Sequence, residues 1–183
     1  RLVWVDDLTG RCSFAHDKIR EALLGRLDYA ERRELHSRAA DAMHSMEAEG
    51  VSVFDLAYHL DAAGRHQAAL PYALRSAETA RTQHALDSAL SHYRMAERGV
   101  SPDDLDTRVV ISEGLGDVLA LKGAYDEAEE QLLAAEQLVT DRVHRAEVEG
   151  KLGALAFKRG DIPTARRHLE GAMARLGRPV PRV

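Results

Sequence analysis

The chain has 183 residues, 45% of them hydrophobic, 30% charged and only 5% aromatic, with a formal charge of −5. That balance excludes a disordered chain, favours helix over sheet, and gives no net-charge ground for binding nucleic acid or an anionic membrane. A single cysteine, Cys12, cannot close an internal disulfide, which fits a reducing, cytoplasmic setting.

No apolar run reaches membrane-spanning length and no signal peptide is visible. The opening residue is Arg1 rather than Met, so the chain reads as a piece of something longer. Its first segment pairs two β-prone runs, Leu2 to Val5 and Arg11 to Phe14, around an Asp/Gly turn, which predicts a hairpin. A helix follows over 17–27, with Ile19, Leu23, Leu24 and Leu27 on one stripe and Asp17 as its N-cap. Asp28 and Glu31 form a capping-box pattern that starts a helix over 28–49, ended by Gly50. Leu35, Ala39, Ala42, Met43 and Met46 are expected on its buried side.

Punctuation then becomes regular. Helices are predicted at 53–63, 67–82, 85–98, 104–122, 125–139, 142–159 and 162–176, with Gly64, Gly99, Gly123, Gly160 and Gly177 at the breaks. Pro71 stands early in its helix, where it is tolerated in the first turn and bends the helix if deeper. The eight helices from residue 28 onward are expected to pair as 28–49 with 53–63, 67–82 with 85–98, 104–122 with 125–139, and 142–159 with 162–176.

The strongest signal is a repeat. Leu115, Gly116, Gly123, Ala128, Leu132 and Ala135 recur 37 positions later as Leu152, Gly153, Gly160, Ala165, Leu169 and Ala172. A weaker copy lies 39 positions earlier, where Ala77, Ala89, Tyr93 and Ala96 match Gly116, Ala128, Leu132 and Ala135. Physically, Gly116 and Gly153 let a second helix cross closely, and Gly123 and Gly160 close the first helix. Ala128 and Ala165 sit where the paired helix presses in, and Leu132 and Leu169 fill the groove. One such hairpin cannot bury its own apolar face, so several must stack.

These residues resemble the tetratricopeptide repeat over about Ala68 to Gly177. The family's opening Trp is replaced by Ser112 and Glu149, and its late Pro by Thr140 or Gly177. The resemblance implies an all-α, right-handed α-α solenoid over residues 28–177. It would follow a small hairpin plus helix over 1–27, and residues 178–183 would be a linker.

The front resembles something more particular. Phe14, His16, Asp17, Ile19, Arg20, Glu21, Ala22 and Leu23, then Arg32, Arg33, Leu35 and His36, match the winged-helix end of bacterial STAND-type regulatory ATPases. That likeness implies that His16 contacts the β-phosphate of ADP in a full-length parent, at a helix N-terminus suited to anions. The chain has no GxxxxGK[ST] loop, so the rest of such a site would lie upstream. The other reading of His16 is a packing residue between wing and helix.

Further candidates are weaker. Nine histidines include no HExxH and no pair three or four apart on one helical face, so no metal site is expected. No catalytic constellation is readable, and Cys12 reads as a small strand residue. Residues 101–151 are acidic, whereas the end beyond Lys158 carries Arg159, Arg166, Arg167, Arg175, Arg178 and Arg182. Together these features predict a non-enzymatic regulatory segment. Its partner would be a protein, or the parent's own ATPase or effector domain, with ATP or ADP bound elsewhere in that parent. No direct nucleic-acid or membrane contact is expected. The reading from another class is a passive scaffold that holds one protein without nucleotide switching.

Overall fold

A computed structural model describes residues 3–5, 12–45 and 51–178. Two short strands, β1 (Val3–Val5) and β2 (Cys12–Phe14), pair antiparallel with Val3 opposite Phe14 and Val5 opposite Cys12. The expected turn between them lies outside the described residues, as do Met46 and Gly50. Helix α1 (Asp17–Leu24) is three residues shorter than predicted and buries none of its side chains. It rests chiefly on β2.

Eight further helices follow among the described residues: α2 (Tyr29–Ser45), α3 (Val53–Ala62), α4 (His66–Thr82), α5 (Leu86–Gly99), α6 (Leu105–Lys122), α7 (Tyr125–Leu138), α8 (Arg142–Lys158) and α9 (Ile162–Arg175). No described helix is long and apolar enough to cross a membrane. Each helix from α2 onward packs on its chain neighbours. Beyond neighbours, the substantial contacts are α3 with α5 and α4 with α6. The helices therefore form an open series rather than a closed bundle.

The predicted capping box at the start of α2 is reciprocal. Asp28 N–H donates to Glu31 Oε2 at 2.9 Å, and Glu31 N–H to Asp28 Oδ1 at 2.8 Å. The buried face of α2 differs from expectation: Ala40 is its buried residue, while Leu35 and Ala42 are exposed. Pairing at the front differs too, since α3 packs more extensively on α4 than on α2. The cause is local. Gly64 takes φ 75°, and Arg65 N–H bonds Leu60 O at 2.9 Å, which turns α4 straight back along α3.

That closure recurs at every tight turn. Ala85 N–H bonds Ala80 O, Ala124 N–H bonds Leu119 O, and Asp161 N–H bonds Ala156 O, at 2.9–3.0 Å. Gly123 and Gly160 supply the left-handed residue at the last two, with φ 79° and 81°. Asp104, Asp141 and Asp161 cap α6, α8 and α9 by accepting from Thr107, His144 and Thr164 N–H. Pro71 is the sixth residue of α4, deeper than the first turn.

The main core joins α3 to α8 through many alanines and a few large residues, among them Tyr93, Ile111, Leu115, Leu119, Leu132, Leu152 and Leu155. Small side chains set close helix spacing, and large ones fill what remains. A Cβ added at Gly116 would stand 2.7 Å from Leu132 Cγ, and one at Gly153 would stand 2.8 Å from Leu169 Cγ. The same crossing is built twice, 37 residues apart.

Candidate interaction surface

Helices α4, α6 and α8 share one face. Arg81, Asp117, Leu121, Lys151 and Lys158 line a shallow hollow of about 230 Å³ on it. On this face Lys151 Nζ donates to Glu113 Oε2 at 2.8 Å and to Asp117 Oδ2 at 2.9 Å. His144 Nε2 also meets Glu113. Burial pulls the Lys151 ammonium toward neutrality, but the hydrogen bonds and charges of Glu113 and Asp117 outweigh it, so its pKa is raised. The ammonium therefore stays charged and clamps α8 to α6. On α4, Arg81 grips Glu78 with two donors at 2.7 and 2.9 Å, and Tyr93 O–H donates to the same carboxylate at 3.3 Å. Burial first, then the Glu78 charge, pushes the Tyr93 hydroxyl up to about 12. The face thus presents fixed, alternating charges with Leu121 half-exposed between them, a pattern suited to a polar peptide or protein surface.

Sequence reading missed this clamp, although a signal existed. Cross-repeat ion pairs fall near one period: Arg98 with Asp61 at 37 positions, Lys122 with Asp87 at 35, and Lys151 with Glu113 at 38 and Asp117 at 34. Glu149, at the place where the resembled repeat has Trp, is 8% exposed. It accepts from Arg175 Nε at 2.6 Å, and Gly171 leaves it room.

The repeat residues lie where close crossings need them. Gly116 meets Leu132 and the Ala128 carbonyl, and Gly153 meets Leu169 and the Ala165 carbonyl. Ala128, Leu132 and Ala165 are buried, but Leu169 is 45% exposed because no helix follows α9 to cover it among the described residues.

His16 stands apart from the groove. It is exposed, extended at φ −149° and ψ 140°, and occupies the N-cap position of α1 without a side-chain cap bond. Asp17 is not the cap: it lies in the first turn, 3.5 Å from Arg20. The reason is phase, since Ile19 N–H already bonds His16 O at 3.0 Å and so starts the helix one residue earlier. Among the described residues, no three His, Cys, Asp or Glu side chains converge as metal ligands would. Two histidines do meet between α2 and α3, His36 Nδ1 and His59 Nδ1, at 2.9 Å. The chain matches no protein-family model and no curated protein.

Proposed function

We propose that this chain is the regulatory, protein-binding repeat segment of a larger STAND-type ATPase. In this reading α2 to α9 form a right-handed solenoid of tetratricopeptide-like hairpins. Their shared face holds a protein partner or the ATPase's own domains. The β1–β2 pair and α1 are the end of a winged-helix domain, and nucleotide state passes through that joint to the array.

The observation that carries the reading is the duplicated hairpin. Gly116 with Leu132 and Gly153 with Leu169 repeat one crossing in one register, and the helices so spaced line up a continuous charged face. At the front, Trp4, Phe14, Leu23 and Leu24 are 40–59% exposed, an apolar surface that a neighbouring domain would cover. The exposure of His16 at the start of α1 supports the reading that it meets a ligand held on such a domain.

Calorimetry on a longer protein containing this segment tests the switch. His16→Ala should weaken ADP binding several-fold and raise basal output while leaving the fold intact, because an exposed side chain away from the core contributes little stability. Unchanged ADP affinity would remove His16 from the nucleotide site and favour the passive scaffold.

A further inference from the structure

His36 on α2 and His59 on α3 turn the same atom, Nδ1, toward each other across the α2–α3 junction, 2.9 Å apart. A hydrogen bond accounts for that distance while one ring donates and the other accepts. With both rings in the Nε2–H tautomer, two lone pairs face one another instead. The frame around the pair is fixed. The ring centroids lie 5.1 Å apart, and Tyr58 stands edge-on to both, at 5.4 Å from His36 and 5.3 Å from His59. Arg33 on α2 donates twice to Ala63 O, at 3.1 and 3.2 Å, and ties the end of α3 to the helix that carries His36. Both histidines are half-buried, while Tyr58 beside them is 51% exposed, so the pair is held and still reachable. Asp55, exposed and one turn before His59, brings a carboxylate to the same face of α3.

We propose that His36 and His59 are a chelating pair for a divalent transition-metal ion, nickel(II) or copper(II), which locks α2 to α3. The donor set comes first. Imidazole nitrogen suits these ions, whereas calcium and magnesium take oxygen ligands. The distance then selects among the imidazole-loving ions. Nitrogens about 2.0–2.1 Å from a metal stand about 2.9 Å apart when their bonds meet at a right angle, and about 3.4 Å apart when they meet at a tetrahedral one. The observed separation is the right-angle value, so the rings need no rearrangement to take two adjacent positions of a square or tetragonal ion. A tetrahedral zinc ion would have to spread them. Two protein nitrogens suffice, because water fills the remaining positions and the nearby Asp55 carboxylate offsets the charge. The ion takes the place of the proton that the pair otherwise shares. Occupancy would brace the front of the array, where α2 follows α1. This proposal does not depend on the nucleotide reading.

Titration calorimetry of the untagged 183-residue chain, stripped with a chelator, against nickel sulfate, copper sulfate or zinc sulfate alone tests it. One nickel or copper ion per chain should bind, and zinc should bind more weakly than nickel. Nickel should also raise the melting temperature, because it binds the folded pair and not the separated histidines of the unfolded chain. His36→Gln and His59→Gln should each weaken nickel binding at least tenfold and abolish the melting shift. His84→Gln, in the exposed turn between α4 and α5, should change neither. Circular dichroism checks that helix content is kept. Electron paramagnetic resonance of the copper-loaded chain should show two imidazole nitrogens, a readout that needs no variant to fold. Three results would overturn the proposal: no binding, binding that survives both substitutions, or zinc held more tightly than nickel. The first would leave the pair as a hydrogen bond alone. The second would place the ion on other histidines, and the third would mean that the rings open to the tetrahedral separation.

Discussion

His84 occupies the turn between α4 and α5 with φ 57°, a left-handed conformation that the equivalent turns assign to Gly64, Gly123 and Gly160. It lies 39 positions before Gly123, in the register of the weakest repeat copy, and it is exposed. An L-residue pays about 1–2 kcal/mol in that region, and the greater freedom of an unfolded glycine returns only part of it. His84→Gly should therefore raise unfolding free energy by about 0.5–1 kcal/mol in urea melts. His36 and His59 make a second residue-scale prediction. Their facing nitrogens at 2.9 Å need one donor and one acceptor, so the pair is at home with at most one proton to spare. Burial, then the charge of His36, lowers the His59 pKa below 6.5, and Asp55 opposes this only in part. A depressed histidine pKa means that the unfolded chain takes up the proton first. The pair's stabilisation is present above about pH 6.5 and is lost as pH falls below it. Melts at pH 7.5 and pH 5.5 should show this loss, and His36→Gln should make it shallower.

At the scale of elements, one substitution separates two copies of the same crossing. Gly116→Ala and Gly153→Ala each gain about 1 kcal/mol of helix propensity. Each also drives a Cβ to within 2.7–2.8 Å of a leucine Cγ. Leu132 is sealed under α8 and cannot retreat, whereas Leu169 has open space beside it. Overpacking costs about 1–3 kcal/mol when neighbours are fixed. Gly116→Ala should therefore lose up to about 2 kcal/mol, and Gly153→Ala should be unchanged or slightly more stable, in paired denaturation curves. Equal effects would mean that exposure of Leu169 gives it no room to move. The two glycines were legible as a pair from their 37-residue spacing. Their unequal surroundings were not, because a repeat register says nothing about which copy has a neighbour.

For the whole molecule, sequence pattern located α3 to α9 to within one residue at each end, because glycines or capping aspartates punctuate most of them and alanines mark their crossings. Legibility fell where those markers thin out. The hydrophobic stripe of α2 is ambiguous between Leu35 and Ala40, and only Ala40 faces α3. Ser76, at the position of Leu115 and Leu152, keeps a buried hydroxyl without a partner, which blurs the first copy of the repeat. The Lys151 clamp was missed for a different reason: its signal lies in opposite charges spaced near one repeat period, and single-helix periodicity does not show it.

The Lys151 clamp also has a mechanical consequence. An open series of helices has no closing contact to hold its ends, so its bending stiffness is the sum of its junctions taken one by one. The α6–α8 junction is braced from one side of the groove by a cation held between two carboxylates. Pushing the groove wider there must stretch charged hydrogen bonds, just as opening the α2–α3 junction must break the two donors of Arg33 to Ala63 O and the His36–His59 bond, so each end of the array resists hinging through polar bonds and not through apolar contact alone.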